Sequence, residues 1–370
     1  MKNNDPKKIL VIKLCCIGDL VFLLPALRDI KNTYPQAKLT YLCSSWIKEL
    51  VEQVSYVDDV IVYDAPFLKK SFIKKIQSTI KLFFEIRSKK IDVVFIFHRN
   101  ALFSLFCWLA GIKQRLGFEN KLSFLLTDEV NFDSTKFEAE RYLDVIAKFG
   151  IKSADEPGEF EPSELNIKLV NEKLFKYSLK ENDSLIGIIP GGGENPGTSM
   201  SIKRWYPENY SDLCGQILAN GDYKIILVGS TSDKDLCEGI RGNAKFYKDR
   251  IINLAGEFSL GELPALLKRC NLVIGVDTGP AHIANAVGVK TLFLFGPSDP
   301  RLVAPKNSKS LYIWKQVECC PCYTPDTVIQ KKNFVGNIFV CRTGTHECMK
   351  NILVDEVYLS FRYLQDKNNN

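Results

Sequence analysis

Residues 275–288 read GVDTGPAHIANAVG. The apolar, β-branched run LVIGV (272–276) leads into them, Asp277 closes it, and Thr278-Gly279-Pro280 opens a small-residue helical pattern. Near the start of the chain, KILVIKLCCIGDLVFLLPAL (8–27) has the same layout of strand, glycine turn, acid and helix. Strand–turn–helix units that repeat along a chain build a parallel sheet with helices on both faces.

The rhythm extends outward from both stretches. In the first half, strands are predicted at 8–14, 38–43, 59–64 and 92–97, with helices at 19–33, 46–54, 70–89 and 101–111. KSADEPGEFEPSEL (152–165) is rich in Glu, Pro and Gly and reads as a connection between domains. The rhythm then restarts, with strands at 184–192, 223–230, 272–277 and 289–296 and helices at 207–220, 233–242, 260–269 and 279–287. The expectation is an α/β chain of two Rossmann-like domains facing each other across a cleft. They would span 1–165 and 166–350, with a C-terminal helix and frayed tail at 351–370. Ligands of such sheets bind beyond the carboxyl ends of the strands, where the unusual residues of this chain fall.

Gly191, Gly192 and Gly193 follow the strand that begins at 184. They either form a flexible loop or let a phosphate approach main-chain N–H groups without Cβ interference. Lys203 and Arg204 come just before a Trp-Tyr-Pro helix start and supply cations able to neutralise a diphosphate. At Asp277-Thr278-Gly279-Pro280, proline in the first helical turn costs no hydrogen bond, and the free N–H groups with the helix dipole make an anion site. Thr278 adds a hydroxyl, and His282, one turn in, either points back at the anion or is a satisfied core residue. In the first half, Asp19 opens the helix after Gly18. It is either an N-cap or a base for an acceptor hydroxyl. The loop is not G-x-G-x-x-G, so the nicotinamide and flavin fingerprint is absent and no cofactor is expected. SDKD (232–235) contains Asp-x-Asp, but its place after a strand favours helix capping or a ribose contact over a metal site.

Composition narrows the class. The 370 residues carry a net charge of +6, too weak a basic excess to argue for nucleic acid. No stretch approaches the roughly 20 apolar residues of a membrane span, and MKNNDPKK lacks an apolar signal region, so export is not expected. The 12 cysteines are then expected reduced. Cys319, Cys322, Cys341 and Cys348 cluster at irregular spacing, open to a structural metal or to free loop thiols. FLKKSFIKKIQSTIKLFFEIRSKK (67–90) holds eight Lys/Arg against one acid, with Ile73, Ile76, Ile80, Phe83 and Phe84 at helical spacing. It is a basic amphipathic helix, either a domain helix with a solvated lysine face or a surface for anionic lipid presenting Lys69, Lys70, Lys74, Lys75 and Lys81.

Taken together, ILVIKLCCIGDLVFLLPAL, KRWYPENY and GVDTGPAHIANAVGVKTLFLFGPSDP resemble glycosyltransferase family 9, the ADP-heptose:lipopolysaccharide heptosyltransferases, over about residues 8–355. The resemblance implies a GT-B fold with acceptor on the first domain, nucleotide sugar on the second, and the final helix crossing back to the first. It implies an inverting, metal-independent transfer of heptose from ADP-heptose to a lipopolysaccharide inner-core acceptor, by a cytoplasmic protein peripheral to the inner membrane face. It also implies roles by position: Asp19 as general base, Lys203 at the phosphates, Asp277, Thr278, Gly279 and His282 as the phosphate turn, and Asp233 near the ribose. The base-recognising residues are not legible. A UDP- or GDP-linked donor, an epimerase, or a non-catalytic nucleotide-sugar-binding protein therefore stay open.

Overall fold

The computed structural model describes residues 5–64, 72–154, 156–195 and 197–366. The chain divides after Glu161. The sequence boundary at 165/166 would cut the first turn of the helix Glu164–Lys176, whose Ser163 cap accepts from Asn166 N–H. That helix belongs to the second unit, where Lys173 pairs with Glu262 at 2.7 Å and the Asn166 amide donates to Gly261.

The first unit contains β1 (Lys8–Ile12), β2 (Lys38–Cys43), β3 (Asp59–Val62), β4 (Val93–Ile96), β5 (Gln114–Phe118) and β6 (Asp128–Val130). All pair in parallel in the order β3-β2-β1-β4-β5-β6. The second unit contains β7 (Leu185–Ile189), the short β8 (Glu194–Asn195) and β9 (Thr198–Ser199), β10 (Lys224–Leu227), β11 (Ile251–Asn253), β12 (Leu272–Val276), β13 (Lys290–Phe295), β14 (Ser310–Trp314), and the short β15 (Phe334–Val335) and β16 (Ile338–Phe339). Its main sheet, again parallel, runs β11-β10-β7-β12-β13-β14. Each unit therefore has the strand sequence 3-2-1-4-5-6. The chain reverses direction across the sheet between β1 and β4 in one unit and between β7 and β12 in the other, and at such reversals ligands bind. β4, β7 and β12 are buried at every residue, as strands covered by helices on both faces must be.

Packing fixes two helices within their own units. The final helix, Val354–Asp366, was expected to cross back to the first domain. Its buried face, Val357, Phe361 and Leu364, joins the core of the second unit, with Phe361 edge-on to Tyr223. Trp205 seals the approach to this helix by donating its indole N–H to Ile352 O at 3.1 Å. The basic helix, Phe72–Lys89, docks through Leu82 and Ile86, and its Thr79 hydroxyl meets Tyr63. The stripe Ile73, Ile76, Ile80 and Phe84 is left 42–64% exposed. Among the described residues, no helix is long and apolar enough to cross a membrane.

Candidate active site

At the end of β7 the three glycines are not a loose loop. A Cβ on Gly191 would lie 2.2 Å from Asp233 Oδ1. One on Gly192, at φ +96°, would lie 2.5 Å from Thr278 Cγ2. The turn is thus wedged between two neighbouring strand ends, and only glycine permits it. Arg204 fastens it from one side, with Nε donating to Gly192 O at 3.2 Å and Nη2 to Asp233 Oδ1 at 3.2 Å. Asp233 is buried, and its second oxygen accepts from Ser230 N and Oγ at 2.9 and 2.7 Å. Arg204 and Asp233, both expected to meet the donor, meet each other and shape the turn through these bonds.

From β12, Asp277 leads to the helix Gly279–Ala286. Its Oδ2 pairs with Lys203 Nζ at 2.6 Å and its Oδ1 meets His282 Nε2 at 3.0 Å. A carboxylate only accepts, so Nε2 carries the hydrogen. Burial works against the charge on Asp277, but Lys203 and then His282 overcome it and hold the carboxyl well below the ordinary range. His282 is thus a buried, satisfied side chain that also orients the acid holding Lys203. Thr278 turns its hydroxyl to Val276 O at 3.3 Å and makes no side-chain cap bond, and Pro280 has no N–H. The first-turn N–H groups of this helix remain for an anion. The Lys203 ammonium also lies over the Tyr323 ring, 4.6 Å from its centre.

The first unit has its own cluster where β1 ends. Asp19 sits in the first turn of the helix Ile17–Thr33. Its Oδ2 accepts from Cys16 N at 2.8 Å, and its Oδ1 from Tyr142 OH at 3.2 Å, with Lys13 Nζ at 3.5 Å. The Asp19 side chain keeps 29% of its surface open. At the end of β4, burial and then the Lys13 ammonium push the half-buried His98 down to about 4, so it is neutral near pH 7. Lys13, His98, Tyr142 and Tyr323 escaped the sequence reading. For Lys13 and His98 the signal was their place just beyond strand ends; Tyr142 and Tyr323 arrive from distant segments and had none.

Cys319, Cys322, Cys341 and Cys348 form no disulfide. Cys320 lies beside the thiols of Cys322 and Cys348, and its own thiol donates to Gly296 O at 3.4 Å. Cys341 is engaged with the Thr343 hydroxyl at 3.3 Å. Among the described residues, no group of three or more His, Cys, Asp or Glu is arranged to hold a metal ion. Of the expected lysine face, Lys74 and Lys81 are exposed and Lys75 half-buried, while Lys69 and Lys70 lie outside the described residues.

Residues 79–333, which include the glycine turn, Lys203 and the Asp277–His282 turn, match the sequence model of glycosyltransferase family 9 (heptosyltransferase). The chain belongs to this family. It is 26% identical to lipopolysaccharide heptosyltransferase 2 of Escherichia coli K12 over 315 residues, 83% of this chain and 87% of the relative. Among solved structures it resembles the family 9 glycosyltransferase from Veillonella parvula, with TM-score 0.79, 23% identity and coverage of 98% and 97% of the two chains. It also resembles the Escherichia coli ADP-heptose lps heptosyltransferase II, with TM-score 0.76, 22% identity and coverage of 98% and 100%. These likenesses agree with the GT-B class expected for two Rossmann-like domains. As a family 9 member the chain is a glycosyltransferase of the heptosyltransferase type.

Proposed function

We propose that this chain transfers a heptose from ADP-heptose to a lipopolysaccharide inner-core acceptor, with inversion and without a metal. The observation that carries the reading is the Lys203–Asp277–His282 chain beside the wedged glycine turn and an open helix N-terminus. As the bond from sugar C1 to the diphosphate breaks, negative charge grows on the leaving group. Lys203 and the first-turn N–H groups after Thr278 meet that charge in a water-poor setting, where fixed donors act most strongly. This cationic donor set does the work a divalent ion does elsewhere. Asp233, the first acid of the Asp-x-Asp stretch, is already committed to Ser230 and Arg204, which supports metal independence.

The second unit is thus the donor domain and the first the acceptor domain. Asp19, partly open and held by backbone and tyrosine donors, takes the proton of the attacking acceptor hydroxyl. A single displacement then inverts C1. The relatives' names carry lipopolysaccharide and ADP-heptose, which supports this choice of donor and acceptor.

An anionic lipid acceptor gives the helix Phe72–Lys89 a role at the inner membrane face. Its exposed Ile73, Ile76, Ile80 and Phe84 lie beside exposed Lys74 and Lys81, the composition of a helix resting in a lipid interface. Co-sedimentation with vesicles containing anionic lipid is expected, and to weaken when Ile76 and Ile80 become Glu. Undiminished binding by that variant contradicts the assignment.

Calorimetry with ADP, UDP and GDP, with and without chelator, tests the donor reading. Preferential, chelator-insensitive ADP binding is expected. Preference for UDP or GDP moves the donor assignment, and absence of nucleotide binding removes the transferase reading of this site.

A further inference from the structure

The cysteine-bearing segment 316–350 reaches the glycine-turn region from outside the main sheet. β16 pairs with β9 through Ile338 and Ser199, and Ser199 N donates to Asn337 O at 2.9 Å. His346 donates through Nε2 to Ile202 O and accepts at Nδ1 from Tyr206 OH at 3.4 Å. These contacts bracket Lys203 in sequence. The same segment lays the Tyr323 ring against the Lys203 ammonium.

We propose that Tyr323 is a positioning residue for Lys203, holding the ammonium toward the diphosphate while leaving its N–H groups free. The inference rests on the reading of Lys203 as a diphosphate ligand. An ammonium has three N–H donors. In this structure Asp277 takes Oδ2 and main-chain O contacts, at 2.6 and 3.3 Å. A donor that carries two phosphates must win those N–H groups, and a carboxylate close by repels it. The ring face attracts the cation through its quadrupole and consumes no N–H at all. Tyr323 can therefore keep Lys203 in place while Asp277 gives up its hold.

The ring is itself fixed. Tyr323 N donates to Pro297 O at 2.9 Å, just beyond β13. The ring stands edge-on to the fully buried Phe339 at 5.4 Å, and Phe339 stands edge-on to Phe334 at 5.1 Å. A group held this firmly pre-organises the cation it touches. The thiols of Cys320, Cys322 and Cys348 meet at the base of the same segment, on either side of the stretch that carries these rings.

The test uses the full-length chain with Tyr323→Leu, Tyr323→Phe and pentafluorophenylalanine at position 323, and Lys203→Ala as the reference. ADP affinity by calorimetry and KM for the nucleotide-sugar donor are the readouts, with thermal unfolding as a folding control. Tyr323→Leu is expected to weaken ADP binding and raise donor KM together by roughly fivefold. Tyr323→Phe restores both, because the ring face is what matters. The fluorinated ring keeps the shape but loses the negative face, so it behaves like Leu, and it serves alone if Tyr323→Leu does not fold. Wild-type ADP affinity in Tyr323→Leu or in the fluorinated variant, with Lys203→Ala impaired, overturns the inference. Tyr323→Phe as weak as Tyr323→Leu also overturns it. Wild-type affinity in Lys203→Ala overturns the underlying reading of Lys203 instead.

Discussion

Each unit places a lysine, an aspartate and a tyrosine ring together at its reversal of strand order, and the two trios are built differently. In the second unit Lys203 and Asp277 touch at 2.6 Å, both nearly buried, with the ring 4.6 Å from the ammonium. In the first, Lys13 and Asp19 are 3.5 Å apart, the ring of Tyr142 is 5.0 Å from the ammonium, and the acid keeps 29% of its side-chain surface open. The tight trio presents a cation and spends its acid on holding it. The loose trio presents an acid. In the function proposed above, the burial of the acid and its distance from the lysine, rather than residue type, separate a charge-stabilising site from a proton-accepting one.

The largest expected effect breaks this contrast at the loose trio. Asp19→Asn removes the proton acceptor while preserving its size, and transfer is expected to fall by about 10³-fold, within the usual range for a positioned general base. Steady-state assays with a truncated lipid core check it, and turnover equal to wild type removes the base assignment.

A second effect appears in stability at the tight trio. Asp277→Asn leaves Lys203 without its counter-charge and is expected to cost about 3 kcal/mol in denaturant unfolding. Because the folded carboxyl lies below its unfolded value of roughly 3.9, this stability is present above that pH and is lost as pH falls further. The variant should therefore lose less on acidification than wild type. Equal acid sensitivity would show that the pair contributes nothing.

The smallest effect sharpens the first-unit description. His98 titrates at about 4 when folded against roughly 6.5 unfolded. Its contribution to stability is complete above pH 6.5 and declines as pH falls toward 4. NMR titration should find its ring neutral at pH 6, and a normal midpoint would mean that the Lys13 side of the cluster is more open.

Much of this was legible in the chain itself. β1, β4, β7 and β12 are apolar runs that the sequence located, while the order that puts the strand reversals between them came from the sheet pairing. Three missed strands carried little signal, since β6 is Asp-Glu-Val, β11 three residues long, and β5 opens with Gln and Arg, whereas β14, Ser-Leu-Tyr-Ile-Trp, carried an apolar pattern that went unread. Such edge or short strands are specified by their neighbours more than by their own pattern. The residues singled out in the sequence lie at these strand ends, but several of their side-chain partners carried no signal there. That Arg204 serves Asp233 depends on a contact between separate strand ends, and that His282 serves Asp277 on how its ring turns back along its own helix. The stripe Ile73–Phe84 shows the reverse limit, since helical spacing identifies an apolar face without saying whether protein covers it.

The division of labour between the trios is tested most directly by ADP calorimetry on wild type, Asp19→Asn and Lys203→Ala side by side. Asp19→Asn is expected to bind ADP as wild type does, while Lys203→Ala binds it at least tenfold more weakly, about 1.4 kcal/mol. Retained ADP affinity in Lys203→Ala, or its loss in Asp19→Asn, would contradict the account.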